Sequence, residues 1–465
     1  MALVPAAGRV AVSVRGVPSG RLRTHATKLP ADRQRKRGAH VGQLSEDGSV
    51  SGDSDRSLVR RLGLTDAVVI GLGSMLGAGI FAALAPAAGS AGSALLAGLA
   101  VAAVVAYCNA TSSARLAARY PSSGGTYVYG RERLGEFCGY LAGWGFVAGK
   151  IASCAAMALT VGVYVLPAHA HAVAVAAVVA LTAVNYAGIE KSAWVSRVIV
   201  AVVLAVLAAV VTACLTSSAA DLARLDIGPD ASITGVLQGA GLLFFAFAGY
   251  ARIATLGEEV RDPQRTIPRA IPMALAITLV VYAIVAVAVL AILGPAGLAN
   301  ASAPLTDAVR GAGVPALAPV VSIGAATAAL GSMLALILGV SRTTLAMARD
   351  HQLPHVLAAV HPRFNVPYRA EIAVGLIVAV LAATTDIRGA IGFSSFCVLA
   401  YYAIANASAM TLTKKEKRPP RAVPITGMAG CAILACTLPA TSVLSGAAVL
   451  TIGSAAYAIR KLATR

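Results

Sequence analysis

Twelve apolar stretches, separated by short loops, constrain the fold of this chain more than any other feature. Because a helix rises about 1.5 Å per residue and the hydrocarbon core of a bilayer is about 30 Å thick, stretches of this length suit membrane-spanning helices. Numbered as spans 1 to 12 in chain order, they cover residues 66–89, 93–118, 135–166, 171–188, 193–216, 233–256, 268–293, 315–347, 370–385, 389–412, 423–441 and 443–459. The sequence therefore predicts an all-α integral membrane protein with about 12 transmembrane helices.

The composition excludes several functional classes. The chain of 465 residues is 58% hydrophobic and 12% charged, with a mean hydropathy of +0.77, whereas a soluble domain has roughly 25% charged residues. It contains no G-x-x-x-x-G-K-[ST] phosphate loop and leaves no room for an extramembrane domain. No pair of carboxylates, cysteine and histidine, or serine and histidine has the context of a catalytic motif. We expect neither an enzyme nor ATP-driven transport by this chain alone.

The net charge of +18 follows the predicted membrane topology. Lysines and arginines concentrate in alternate loops, and the opposite loops hold only Arg224, Arg310 and Arg388. The positive-inside rule then predicts a multi-pass protein of the cytoplasmic (plasma) membrane with both termini in the cytoplasm, and nucleic acid need not be invoked as a partner. Residues 1–57, rich in Arg, Gly and Ser, are predicted to be a disordered basic cytoplasmic tail. This tail is either a dispensable extension or an arm that contacts anionic lipid.

Span 1 contains four glycines near its centre. Gly71, Gly73, Gly77 and Gly79 lie within AVVIGLGSMLGAGIFAALAPAA, and each glycine costs about 1 kcal/mol relative to alanine in a helix. The Gly73-x-x-x-Gly77 spacing also suits close packing of two membrane helices. A second glycine, Gly249 in span 6, follows about 170 residues later, which favours paired helix breaks around a substrate site. Freed backbone groups must then face protein or water.

The spacing of the spans predicts an internal repeat. A shift of about 170 residues moves spans 1 and 2 onto spans 6 and 7, and five spans per half place the second half in the opposite orientation. We expect a 5+5 inverted repeat with discontinuous helices 1 and 6, plus two extra C-terminal helices that serve packing or dimer contacts. The predicted units are residues 58–216 (spans 1–5), 217–412 (spans 6–10) and 413–465 (spans 11 and 12 with a cytoplasmic C-terminus). For the oligomeric state, the sequence is compatible with both a monomer and a homodimer.

Four segments in order resemble the amino acid-polyamine-organocation superfamily of permeases, which have the leucine-transporter-type fold. They are GSMLGAGIF (73–81), YPSSGGTYVYGRERLGEFCGYLAGW (120–144), FFAFAGYARIATLGEEVRDPQRTIPRAI (244–271) and SRTTLAMARDHQLP (341–354). The resemblance implies a secondary active amino acid transporter that works by alternating access. Within this class, an exchanger, an exporter or a polyamine transporter is an alternative. Outside it, the alternatives are a channel and an amino acid sensor that does not transport.

The resemblance also implies a substrate site. The carboxylate of an amino acid meets backbone N–H groups at the span 1 break, where a helix N-terminus carries roughly +0.5 charge. The ammonium group meets free carbonyls of span 6, and the ring of Phe245 covers the substrate as a gate. The implied substrate-binding residues are Ser74, Met75, Gly77, Ala78, Gly79, Ile80, Phe244, Phe245, Phe247 and Gly249.

Two cations lie inside predicted spans. Lys150 in span 3 would cost about 2.5 to 3.5 kcal/mol if it faced lipid, so it must face protein or water. Three roles stay open for it: proton coupling, contact with an anionic part of the substrate, or structure. Arg252 in span 6 either pairs with Glu258 or Glu259 or helps to hold an inward gate closed. Together, the two cations favour an acidic or neutral substrate over a cationic one.

The coupling ion is the least determined property. We expect a proton gradient to drive transport, although some relatives carry their coupling lysine in span 5, where 198–211 has none. Sodium would need oxygen ligands between spans 1 and 8, for which Ser322, Thr327 and Ser332 are available, and it stays an alternative. The histidines lack a second set of ligands and the cysteines lack metal spacing. No metal and no cofactor is expected; the predicted partners are a small amino acid and membrane lipids.

Overall fold

The computed structural model describes residues 62–121, 124–188, 193–257 and 259–463. In these ranges the chain forms α-helices and short 3-10 helices, with one isolated β-bridge between Leu62 and Val260. This confirms the all-α prediction. The predicted tail, 1–57, lies outside the described residues.

The helices follow the predicted spans closely. In the first half they are α1 (Leu64–Met75), α2 (Ala78–Ala82), α3 (Leu84–Ala91), α4 (Leu95–Arg119), α5 (Thr126–Leu134), α6 (Glu136–Val165), α7 (Ala170–Tyr186) and α8 (Ala193–Leu215). In the rest of the chain they are α9 (Ile233–Phe247), α10 (Ala251–Ala254), α11 (Pro263–Asn300), α12 (Pro304–Gly311), α13 (Ala318–Arg349), α14 (Tyr368–Thr384), α15 (Ile387–Met410), α16 (Ala422–Thr437) and α17 (Ala440–Ala463). Six 3-10 helices are Gly92–Ala94, Pro167–His169, Leu222–Leu225, Ala248–Tyr250, Pro315–Leu317 and His355–Ala358.

Within the described ranges, ten helical segments are long and apolar enough to cross a membrane. The predicted spans 9 and 11 correspond to α14 and α16, which have 17 and 16 residues. At about 1.5 Å per residue these two helices are shorter than the ~30 Å hydrocarbon core. The described residues therefore contain ten full-length candidate spans, and the two shorter helices α14 and α16 lie at the positions of the predicted spans 9 and 11.

Span 1 is interrupted in the middle. Helix α1 ends at Met75, and Gly77 leaves the helical conformation with φ −79° and ψ −142° before α2 begins at Ala78. Ala83, between α2 and α3, keeps helical angles of φ −78° and ψ −20°. The chain therefore forms one half-helix before Leu76 and a nearly continuous second half from Ala78 onward.

The discontinuity in span 6 has a different form. Helix α9 ends at Phe247, the chain tightens into the 3-10 helix Ala248–Tyr250, and α10 continues from Ala251. A 3-10 turn changes the hydrogen-bonding pattern of the helix and is common at functional hinges. The second break is thus a change of helix type and not an extended gap.

Span 7 begins earlier than predicted. Helix α11 begins at Pro263 and not at 268, because proline suits the first position of a helix, where its missing N–H needs no partner. Pro268 and Pro272 lie inside this helix, and Gly294 breaks its regular path with φ 65°. The loop between spans 6 and 7 is correspondingly short.

The packing places the two discontinuous spans at the centre. Helix α1 packs against α8, α11 and α13, while α9 packs against α3 and α4. Helix α6 packs against both α13 and α15, and α16 and α17 pack on the outside of α15. Spans 1, 3, 6 and 8 therefore surround a common centre, where a cavity lies.

Candidate substrate site

A cavity of about 90 Å³ lies between α1, α6, α13 and the junction of α9 with α10. Ser74, beside the span 1 interruption, and Phe245 line one part of it. Thr255, Glu259 and Arg342, near the ends of α10 and α13, line another part. The cavity thus extends from the interruption towards the loops that follow spans 6 and 8.

Spans 1 and 6 approach each other through glycines. A Cβ atom on Gly249 would lie 2.7 Å from the backbone nitrogen of Met75. A Cβ atom on Gly79 would lie 2.6 Å from the Cα atom of Ala246. Neither distance is compatible with a side chain in the present backbone, so these glycines allow the two discontinuous spans to touch.

Side-chain hydroxyls satisfy carbonyls released at the interruptions. Ser332 on α13 donates a 2.8 Å hydrogen bond to the carbonyl of Gly73, in the last turn of α1. Tyr282 on α11 directs its hydroxyl at the carbonyls of both Met75 and Ala246, the latter at 3.1 Å. A carbonyl at the end of a helix needs such a partner when no water is present.

Lys150 is buried near the middle of α6, as the cost of a charge in lipid predicts. Its side chain is 6% exposed and lines the cavity, and its ammonium donates to the carbonyl of Ala248 at 3.4 Å. The hydroxyl of Tyr402 reaches the same carbonyl at 3.5 Å. The carbonyl of Ala248, at the start of the 3-10 helix, is therefore a point where an ammonium and a hydroxyl donor converge.

The three phenylalanines of span 6 point in different directions. Phe245 lines the cavity. Phe244 packs edge-on against Tyr402, with ring centroids 5.8 Å apart, and Phe247 packs against Tyr282 at 5.2 Å. Of the three rings, that of Phe245 is the one positioned to cover a molecule in the cavity.

The sequence-predicted residues divide into two groups. Five of them line the cavity: Ser74, Lys150, Phe245, Gly249 and Arg252. The others are buried around the span 1 interruption or behind span 6 and do not line it: Met75, Gly77, Ala78, Gly79, Ile80, Phe244 and Phe247.

Arg252 lies in the cavity without a close carboxylate in the described part of the chain. Glu259 interacts with it electrostatically and lines the same cavity, but no ion pair within 4.0 Å joins them. Glu258, the other predicted partner, lies outside the described residues. Arg252 also interacts electrostatically with the guanidinium of Arg342, a second arginine of the cavity.

Sequence reasoning missed Arg342. It belongs to the segment SRTTLAMARDHQLP, and its position inside the apolar span 8 is the signal that could have identified it. Phe146 and Ser153 also line the cavity, and their spacing from Lys150 places them on the same face of α6. With Arg342 included, three cationic side chains line this cavity: Lys150, Arg252 and Arg342.

An aromatic pair joins the second half of span 1 to the end of span 3. Phe81 and Tyr164 are buried and lie edge to face with ring centroids 5.8 Å apart. The hydroxyl of Tyr164 donates to the carbonyl of Phe81 at 2.8 Å. Both residues line a separate cavity of about 220 Å³, together with Ser302, Arg388 and others.

The candidate sodium ligands do not converge. Ser332 lies beside the span 1 interruption, but Ser322 and Thr327 line a different cavity near α12. Among the residues that the structure describes, no three His, Cys, Asp or Glu side chains lie close enough to hold a metal ion. The cysteines in the described ranges are free, and most are buried.

Comparisons with known proteins support this architecture. The chain is 75% identical over 413 residues to an uncharacterized transporter of Mycobacterium tuberculosis, which covers 89% of this chain and 94% of the relative. It is 29% identical to a methylthioribose transporter (86% and 93% covered) and 26% identical to a branched-chain amino acid permease (82% and 88% covered), both of Bacillus subtilis. The family described as amino acid permease matches residues 62–459. The chain, a multi-pass membrane protein of the transporter class, belongs to the amino acid permease family.

Proposed function

We propose that this chain is a proton-coupled amino acid transporter of the plasma membrane, working by alternating access with both termini in the cytoplasm. The observation that carries the proposal is the cavity beside the span 1 interruption, which is lined by Phe245 and the buried ammonium of Lys150. An interrupted helix at the centre of a membrane bundle is the usual way in which secondary transporters expose backbone groups to a substrate.

The backbone around the interruption suits a zwitterion. The first N–H groups of the half-helix that begins at Ala78 have no partners within that helix, so they attract a carboxylate. The ammonium group of the substrate would meet carbonyls near the junction of α9 with the 3-10 helix. Phe245 would cover the bound molecule, since its ring lines the cavity.

The arrangement of cavities supports an inward-facing state. The central cavity extends towards Glu259 and Arg342, near the loops that the positive-inside rule assigns to the cytoplasm. On the other side, Phe81 and Tyr164 pack against each other and would form the outer gate. Alternating access would then require these two rings to separate while the ends of α10 and α13 approach each other.

Lys150 supports coupling to protons. A protonated Lys150 attracts a carboxylate into the cavity, so the proton and the substrate each favour binding of the other, as symport requires. Its hydrogen bond to Ala248 fixes the ammonium beside the discontinuity of span 6. Buried lysines also release their proton more readily than exposed ones.

The charge of the cavity supports an acidic or neutral substrate over a cationic one. Lys150, Arg252 and Arg342 carry positive charges, and Glu259 is the carboxylate of the described residues that lines the same space. A cationic side chain or a polyamine would be repelled by this surplus, while a carboxylate side chain would be attracted.

The function can be tested with purified protein in proteoliposomes. A thermal-shift screen of the twenty standard amino acids and common polyamines would first identify ligands. Uptake of those radiolabelled ligands is expected to increase when the outside is made more acidic than the inside. Uptake that needs internal amino acid and ignores the pH gradient would indicate an exchanger. Single-channel current would indicate a channel, and binding without uptake would indicate a sensor.

A further inference from the structure

Glu371 is a fully buried carboxylate in the first turn of α14, away from the substrate cavity. Its side chain is 0% exposed, and both carboxylate oxygens lack a hydrogen-bond partner among the described residues. Most buried polar groups are hydrogen-bonded, and an ionised carboxylate without donors is costly inside a protein. A protonated carboxyl in the same place carries no charge and therefore costs less. Such a residue within a membrane bundle is a candidate for function.

Glu371 does not cap its helix through hydrogen bonds within the described residues. Negative charge in the first turn of a helix is favourable because of the helix dipole. However, a carboxylate with that role accepts hydrogen bonds from backbone N–H groups, and neither oxygen of Glu371 does so.

Arg342 is a cation that acts on Glu371. It lines the cavity from α13 and interacts electrostatically with Glu371 and with Arg252. In the described ranges Arg342 makes no ion pair within 4.0 Å.

The other titratable groups near α14 have partners elsewhere. Four elements pack against α14: α6, α7, α13 and the 3-10 helix His355–Ala358. Lys150 of α6 donates to Ala248, and His171 of α7 lies 2.8 Å from the carbonyl of Ala382, near the far end of α14. Cys154 of α6 is buried beside Lys150, and Arg349 lies at the end of α13. Tyr186 of α7 packs against the rings of His361, Phe364 and Tyr368, and His355 stacks on His351. Arg369 of α14 itself donates to the hydroxyl of Tyr368 and to the carbonyl of Val356. In the described part of the chain, Arg342 is the charged group that interacts electrostatically with the carboxyl of Glu371.

We propose that Glu371 is a proton-binding site of the transport cycle, in addition to Lys150. This inference rests on the proposed proton-coupled transport. The ionised carboxylate takes a proton from hydronium and leaves water; in the reverse step it returns the proton to water.

Infrared difference spectroscopy tests proton binding without any substrate. Spectra of the purified full chain recorded at acidic and at alkaline pH are expected to contain a carbonyl stretching band of a protonated carboxyl that disappears as the pH rises. Glu371→Gln should remove this band, while Glu132→Gln, at an exposed carboxylate on α5, should leave it unchanged. A band that persists in Glu371→Gln, or no pH-dependent band in the wild type, would overturn the proposal.

Transport measurements test the role of the proton. With a radiolabelled mixture of the twenty standard amino acids as the probe, Glu371→Gln should lose stimulation by a pH gradient but retain exchange between internal and external amino acids. If Glu371→Gln responds to the gradient as the wild type does, Glu371 is not part of the coupling. If the wild type itself ignores the gradient, proton-coupled transport fails, and the infrared band alone decides whether Glu371 binds a proton.

A second variant separates loss of function from loss of folding. Glu371→Leu removes the buried carboxyl without leaving another polar group unpaired, so its thermal stability in detergent should equal or exceed that of the wild type. A stable Glu371→Leu protein that keeps full stimulation by the gradient would contradict the proposal.

Discussion

The hydroxyl of Ser332 donates to the carbonyl of Gly73 at 2.8 Å, which joins α13 to the last turn of α1. The same serine approaches the other side of the interruption, because a Cβ atom on Gly77 would lie 2.8 Å from the Cβ atom of Ser332. Span 8 therefore supports the interruption from both sides, and the absence of a side chain at Gly77 makes this contact possible.

Gly77→Val is expected to abolish amino acid binding while the protein still inserts and folds. The valine side chain would collide with Ser332 and fill the space next to the first N–H groups of the second half-helix. Binding can be measured by thermal shift, and folding by size-exclusion chromatography. Gly89→Val is a matched control, since the atoms nearest to a Cβ there, Nη1 of Arg388 and Cβ of Ala299, lie 3.8 and 3.9 Å away. Normal binding by Gly77→Val would refute the assignment of the carboxylate to the interruption.

Lys150→Met is expected to remove the response of uptake to a pH gradient while exchange continues. The substitution keeps much of the volume of the side chain but removes the group that donates to Ala248. Lys150→Arg provides the comparison: it keeps the positive charge, yet a guanidinium does not release its proton in proteins. Uptake by Lys150→Arg should therefore also lose its response to the pH gradient. A wild-type pH response in Lys150→Met would eliminate this residue as a coupling group.

Phe245→Ala and Phe244→Ala should have different effects. Phe245 lines the cavity, so its truncation should weaken substrate affinity by about tenfold, equivalent to roughly 1.4 kcal/mol. Phe244 packs against Tyr402, so its truncation should lower thermal stability and change affinity less. Isothermal titration and thermal denaturation of both variants check this. Equal losses of affinity in the two variants would mean that Phe245 is not the residue that covers the substrate.

Glu416 is expected to stabilise the protein at neutral pH but not in acid. It lies in the loop after α15 and pairs with Arg133 of α5 and, at 3.0 Å, with Arg119 at the end of α4. Hydrogen bonds from Arg133, the backbone of Thr413 and Arg119 hold the pKa of this carboxyl well below its usual range. Its stabilising effect is therefore complete above the ordinary carboxyl pKa of about 4.3 and is lost as the pH falls below that value towards the lower pKa of the folded state.

Thermal denaturation of Glu416→Gln and wild type in detergent, at neutral and at acidic pH, measures this effect. The wild type should unfold at a higher temperature at neutral pH, and the difference should shrink on acidification. Glu132→Gln, which removes a neighbouring carboxylate with a weaker ion pair at 3.9 Å, serves as the control. If the difference in unfolding temperature between the wild type and Glu416→Gln stays constant with pH, the ion pairs of Glu416 contribute little to stability.

The sequence predicts the helices well because long apolar runs leave few alternatives in a membrane. The predicted and observed positions of spans 3 to 5 agree closely, while α14 and α16 are shorter than full spans. Helix α11 begins five residues before the predicted span 7, because proline is tolerated in the first turn of a helix.

The site was harder to predict than the fold, because apolar spans do not indicate which side of a helix faces the centre. Lys150 could be placed inside, since a charge is costly in lipid. The directions of Phe244, Phe245 and Phe247 could not be ranked by spacing alone; here the resemblance to known permeases selected Phe245. Glu371 escaped notice because it lies at the edge of its span, where a carboxylate usually reaches water.

The phenol of Tyr282 has a mechanical consequence. By reaching Met75 and Ala246 together, it ties the first half of the protein to the second at their least regular points. If the two discontinuous spans are held together in this way, they shift as one rigid unit when the protein changes conformation. The substrate then moves together with the surface that binds it, while the surrounding helices slide past both.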